Sequence, residues 1–273
     1  MKLQKKSRVF IYTMLILMTL YFLLPFFWMI ITAFKTEAEA NSYPPTFLPQ
    51  KWLFSNFFQS WMAQDFNVYL FNSLAVTILH TLGILISCSL TAYGFARFSF
   101  RGKNVLFMIM LMTMMIPWDV TMIPQYMEFK IFGWINSLKA LIIPGFMGSA
   151  YYIFLLRQFM MGIPRDLDEA ARLDGANQLV IYSRIFIPIM KPALILVAIL
   201  NSITVWNDYL GPLIFLQSRN KYTMALGLAA FKGVHETRTI PLMCITVLMI
   251  IPPVILFVVT QKHVIEQTSG AIK

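Results

Sequence analysis

The chain has 273 residues, 58% of them hydrophobic and only 12% charged, with a net charge of +10. Soluble domains carry about 25% charged residues, so this composition excludes an ordinary soluble fold and makes lipid the natural solvent. The 22 Lys and Arg are dealt out between apolar runs and form no stripe, which is the pattern of membrane topology and implies no nucleic-acid partner.

Nearly uncharged runs fall at about 9–34, 66–96, 104–127, 140–160, 193–216 and 239–261. A helix needs about 20 residues to cross the hydrocarbon, so an all-α membrane protein with six transmembrane helices is expected. The first run follows Lys2, Lys5, Lys6 and Arg8, and "AEA" at Ala38 to Ala40 looks like a cleavage site. A signal core has about 7–15 apolar residues; this one is much longer and favours an uncleaved span. Residues 1–66 are thus the first transmembrane helix with an extracytoplasmic segment, and 67–273 a five-helix core.

Between the first two runs, Lys35 to Asp65 is rich in proline (Pro44, Pro45, Pro49) and aromatics (Trp52, Phe54, Phe57, Phe58). Such density fits packing on another chain or an interfacial aromatic belt. It is too short for a ligand-binding domain. In the third run, Pro117, Asp119 and Pro124 interrupt the far end. Placing both termini, 97–103 and 157–191 on one side collects 14 of the 22 basic residues there, against eight opposite, so both ends are expected in the cytoplasm.

The loop at 161–192 is the charge-dense island of the chain. Asp166 and Glu169, just after Pro164, have the spacing of a capping box. Leu167, Ala170 and Ala171 then share one helical face, and Gly175 supplies a left-handed stop. A second helical piece, about Gln178 to Ile187, carries Leu179, Tyr182 and Phe186 on one side before Pro188 ends it. An amphipathic hairpin resting on headgroups is one reading. A small-residue face flanked by Asp166, Asp168, Glu169 and Asp174 suits a protein groove better than an anionic membrane surface.

In the fifth run, Asn201, Thr204 and Asp208 recur at i, i+3 and i+7, with Trp206, Asn207 and Tyr209 close by. Polar groups at membrane depth face protein or water, so this cluster is either a pathway lining or an interhelical clamp. Cys88 and Cys244 lie inside apolar runs as packing residues. His80, His235 and His263 have no metal-ligand spacing. No GxxxxGK[ST], HExxH or GxSxG occurs, so neither a catalytic residue nor a metal site is assigned.

Glu169-Ala170-Ala171, Gly175, Ile185 and Pro188 resemble the EAA loop of ABC importer permeases, with Ile187 where that pattern has Leu. "DEAARLDGA" is similar to the version in carbohydrate uptake transporters of the maltose-permease type. "AYGFARFSFRGKN", "MMIPWDVTMIPQY", "FLLRQFMMGIP", "WNDYLGPLIFL" and "TQKHVIEQTSGAIK" follow in that family's order, and the tail departs from it at Glu266-Gln267. The resemblance implies a cell-membrane permease subunit of an ATP-driven sugar importer. Its implied partners are a second homologous permease, two ATP-binding subunits and an extracytoplasmic sugar-binding protein.

The resemblance also makes Leu167, Glu169, Ala170, Ala171, Asp174, Gly175 and Pro188 the ATPase-docking and coupling element. ATP and Mg are expected on the partner subunits, with no cofactor bound by this chain. In the maltose-type relatives the partner permease carries most of the sugar contacts. The rival classes are a secondary transporter driven by an ion gradient, for which His80 is the one relay candidate, and a membrane scaffold without transport.

Overall fold

The computed structural model describes the backbone of residues 5–233 and 238–270 and the side chains of 8–233 and 238–261. Lys2 and His235, the side chains of Lys5, Lys6 and His263, and those of the C-terminal motif from 262 onward lie outside the described residues. The described residues are mainly helical, with no β-strand among them. The principal helices are α1 (Lys5–Ala33), α2 (Phe66–Arg97), α3 (Lys103–Met112), α4 (Trp118–Ile131), α5 (Ala150–Met161), α6 (Asp166–Leu173), α7 (Lys191–Trp206), α8 (Leu210–Phe215) and α9 (Thr239–Gly270).

Four helical stretches are long and apolar enough to cross a membrane: Arg8–Ala33, Phe66–Arg97, Lys139–Met161 and Thr239–Gln261. Two bent pairs bring the number to six if each is one span: Lys103–Met115 with Trp118–Ile131, at 100°, and Gln178–Ile189 with Lys191–Trp206, at 74°. The first bend falls where Ile116 and Pro117 are extended (ψ 113° and 145°). A residue before proline is pushed out of the helical region, and proline donates no hydrogen bond. The expected third span is therefore broken at its own prolines.

The chain divides into two units, residues 1–66 with 227–251 and residues 67–226 with 252–273. In the first, Asn56 donates to the carbonyls of Ala33 and Lys35 (2.9 and 2.8 Å), closing the end of α1. Phe34 gathers Trp52, Phe54 and Phe57 at 5.0–5.3 Å, so part of the aromatic segment packs within this unit. Tyr43, Phe47 and Phe58 remain exposed.

In the second unit one apolar core joins α2 (Ile84, Cys88, Tyr93), α5 (Ile153, Leu156, Met160), α6 (Ala171) and α7 (Ala193, Val197), with Ile181 and Phe186 between them. Close approach of backbones is part of this packing. A Cβ on Gly145 would stand 2.5 Å from the His80 carbonyl oxygen, and one on Gly83 2.8 Å from the Gly145 carbonyl carbon. Two glycines thus let the 3₁₀ turn Ile143–Met147 lie directly on α2, where the Ser87 hydroxyl donates to the Gly145 carbonyl (3.1 Å).

Candidate functional site

Helix α6 begins one residue earlier than its carboxylates suggest. Arg165 is already helical (φ −73°, ψ −23°), and its carbonyl accepts from the N–H groups of Asp168 and Glu169 (2.9 and 3.2 Å). No side chain caps the helix, so the expected Asp166/Glu169 capping box does not form. Asp166, Asp168 and Glu169 instead fill the first turn, where negative charge complements the helix dipole.

The other end is as expected. Gly175 has φ +82°, its N–H donates to the Arg172 carbonyl (3.0 Å), and Ala176 N–H donates to Ala171 (2.9 Å), which together make a Schellman motif.

Around its axis, α6 buries Asp168 and Ala171 and exposes Leu167, Ala170, Asp174 and Gly175, with Glu169 and Leu173 also exposed. The expected face of Leu167, Ala170 and Ala171 is therefore split. Ala171 turns inward with Asp168 at i, i+3, while Leu167, Ala170 and Asp174 form an outward stripe at i, i+3, i+7. Leu173, beside that stripe, is 89% exposed.

After the glycine corner, Asn177 caps the next piece by accepting from Val180 N–H (2.9 Å), and Ile181–Phe186 winds as a π-helix. That winding aligns Ile181 with Phe186, five residues on, and both are fully buried. Leu179, expected beside Phe186, is 69% exposed instead. Pro188 does not end the helix. It has no N–H to return to Arg184, so it sits at the wide turn while the helix runs on to Ile189 and bends at Met190.

Arg97, the last residue of α2, ties this hairpin down. Its Nη1 lies 3.4 Å from Asp168 Oδ2, with both side chains under 10% exposed. Its Nη2 donates to the carbonyls of Met160 and Ile163 (2.7 and 2.8 Å). The guanidinium also stands 4.6 Å over the Phe186 ring. A second tie runs through Gln178, whose amide, oriented to satisfy both ends, bridges the Tyr93 hydroxyl (2.9 Å) and Arg172 (3.2 Å). In the linear sequence Arg97 counts only as a topology signal, because its partner is 71 positions away.

The second polar cluster does not share one face. Helix α7 ends at Trp206, so Asp208 lies past it, and its carboxylate accepts from Gly211 N–H (3.1 Å) at the start of α8. Asn201 is the interhelical member: its amide donates to Thr81 Oγ1 (2.9 Å) and to His80 Nδ1 (3.1 Å) on α2. Thr204 and Asn207 return to backbone carbonyls one turn back, Leu200 and Ile203 (both 2.9 Å). Trp206 is buried.

Asn207 and Asp208 instead line a cavity of about 540 Å³ together with His80, Trp118, Gln125 and Tyr209. Trp118 and Gln125 are held to each other by an indole-to-amide hydrogen bond (3.1 Å). Sequence periodicity missed them because the 100° bend, invisible in a linear pattern, is what places α4 at the cavity wall.

Residues 82–268 match the family of binding-protein-dependent transport system inner membrane components. The chain belongs to this family. Its relatives include the putative ABC transporter permease protein ORF2 of Caldicellulosiruptor sp. (strain Rt8B.4), 31% identical over 98% of both chains. The arabinooligosaccharides transport system permease protein AraQ of Bacillus subtilis is 35% identical over 75% of this chain and 73% of its own length. The lactose transport system permease protein LacG of Rhizobium radiobacter is 29% identical over 96% and 95%.

Among solved structures, one chain of a bacterial ABC transporter involved in the import of the acidic polysaccharide alginate superposes with a TM-score of 0.83. It is 25% identical, and the match covers 96% of this chain and 99% of that one. This member of the binding-protein-dependent family is thus the multi-pass permease subunit of an ABC importer. An ion-gradient-driven carrier has no support in these relationships.

Proposed function

We propose that this permease admits a sugar or oligosaccharide and that α6 is its coupling element. In this account the exposed stripe of Leu167, Ala170 and Asp174, with Glu169 and Gly175 at its edges, docks in a cleft of an ATP-binding subunit. ATP hydrolysis, with its Mg, belongs to two such subunits, while a second homologous permease and an extracytoplasmic sugar-binding protein complete the complex. Both termini then lie on the ATPase side. The carrying observation is that α6 is anchored on one face and bare on the other, with Leu173 89% exposed beside the stripe. A helix fixed by Asp168 and Ala171 presents a rigid surface, which costs a partner little ordering entropy.

The cavity supports the substrate class. Its volume lies in the range of small-ligand sites, and amides, a carboxylate, an imidazole and three aromatic side chains are the groups that hold hydroxyl-rich molecules. The names of relatives, for arabinooligosaccharides, lactose and diacetylchitobiose, support the same reading.

Alternating access follows from linkage: closure of the ATPase pair acts on α6, and the spans on either side shift the pathway between inward-open and outward-open. The test is uptake of arabinotriose, lactose and diacetylchitobiose into vesicles holding the complete complex. Uptake of at least one should require ATP inside and survive collapse of the proton and sodium gradients. Uptake that persists without ATP and stops on gradient collapse would overturn the proposal.

A further inference from the structure

Resting on that function, we infer that Arg97 and Asp168 form the latch through which movement of α6 reaches the transmembrane helices. Covalent continuity alone transmits poorly. Toward α5, α6 is joined by the short turn 162–165, and toward α7 it is separated by a glycine corner, a π-wound segment and a 74° bend. Each of these absorbs displacement. The guanidinium of Arg97 bypasses them all.

From the end of α2 this one group reaches Asp168 in the first turn of α6, the carbonyls of Met160 in the last turn of α5 and of Ile163 just beyond it, and the Phe186 ring in the π-wound segment. Asp168 lies on the buried side of α6, so inward displacement of the helix drives the carboxylate toward the guanidinium.

The pair also has room to respond. Arg97 Nε and Asp168 Oδ1 are both buried and without a hydrogen-bond partner, and the one existing contact is 3.4 Å long. Charge-assisted hydrogen bonds of this kind are about 2.7–2.9 Å long, so the 3.4 Å contact is slack. Pressing α6 inward shortens it toward a full hydrogen bond, so the latch tightens as the ATPase subunits close. A conventional structural ion pair would hold the helix equally in both states. Arg97 and Asp168 are thus positioning residues for transport, without contact to substrate or ATP.

The test uses the complete complex in nanodiscs with a reporter thiol, Leu210→Cys, at the cavity rim, where no polar group is lost; the native Cys88 and Cys244 are buried. The readout is the rate of labelling by a membrane-impermeant maleimide, before and after trapping with ATP and vanadate. With Arg97 and Asp168 intact, trapping should change the rate at least fivefold. With Asp168→Asn the change should fall below twofold while bound ATPase and vanadate-trapped nucleotide stay at parental levels, and Asp168→Glu should restore at least half of the response.

Parental switching in Asp168→Asn would overturn the latch and leave the proposed function standing. Loss of the ATPase subunits in Asp168→Asn, in step with loss of switching, would also overturn it by making the pair a folding element. A parent that does not switch on ATP would overturn the latch together with the transport function on which it rests.

Discussion

The side-chain amide of Asn201 on α7 lies 3.1 Å from Nδ1 of His80 on α2. The same amide donates to Thr81, so one side chain clamps two long helices. His80 is thereby accounted for without a proton relay: its partner is an amide.

Asn201→Leu should remove both bonds and lower stability by about 1 kcal/mol, within the range measured for hydrogen bonds between transmembrane helices. Thermal unfolding of the purified complex reads this directly, and adding His80→Ala should cost less than the sum of the two single changes. An unchanged midpoint in Asn201→Leu would contradict the clamp.

Asp208 is bound locally, to Gly211 N–H, and it faces the cavity. Asp208→Asn keeps an acceptor for that N–H, so the thermal midpoint should stay close to the parent while uptake changes in KM or in preference among oligosaccharides. Asp208→Ala should in addition cost about 1 kcal/mol, the usual loss when a capping acceptor is removed. Equal uptake by the parent and Asp208→Asn would remove the carboxylate from the pathway.

The contact between Gly83 and Gly145 makes a size-sensitive site. Gly83→Ala would place a Cβ 2.8 Å from Gly145 backbone, and overpacking of this kind costs about 1–3 kcal/mol. Gly94 on the same helix has no atom closer than 4.0 Å to such a Cβ, so Gly94→Ala should be neutral or slightly stabilising. Thermal midpoints of the two variants should therefore differ by several degrees, and equal midpoints would refute the close approach.

At the coupling corner, a Cβ on Gly175 meets nothing within 4 Å, so only backbone conformation opposes substitution. Valine at φ +82° is strained by about 1–2 kcal/mol, whereas asparagine tolerates this region. Gly175→Val should insert normally yet either lose its ATPase partner or leave that partner hydrolysing ATP without transport, and Gly175→Asn should retain most of the import. Identical import by the two variants would contradict the strained corner.

Much of this site is legible in the sequence, and the parts that are not have physical reasons. Helix α6 and its glycine stop follow from local rules, since a Schellman motif joins residues no more than five positions apart. The capping box fails because Arg165 joins the helix and moves Asp166 inside the first turn. Leu179 and Asp208 are misplaced by a 3.6-residue period extended across a π-wound turn and past a helix end. Arg97 pairs with a residue 71 positions away, and a linear charge count enters it as a topology signal alone.

The central claim is that the bare face of α6 docks the ATP-binding subunit. Ala170 is exposed on that face, so Ala170→Glu disturbs no packing within this chain, and a carboxylate against a closed protein groove would be desolvated without a partner. The decisive measurement is the amount of ATP-binding subunit that co-purifies with a tagged permease from membranes, normalised to inserted permease. At least a tenfold loss in Ala170→Glu, with insertion unchanged, is the predicted result; parental recovery of the subunit together with parental import would contradict the claim.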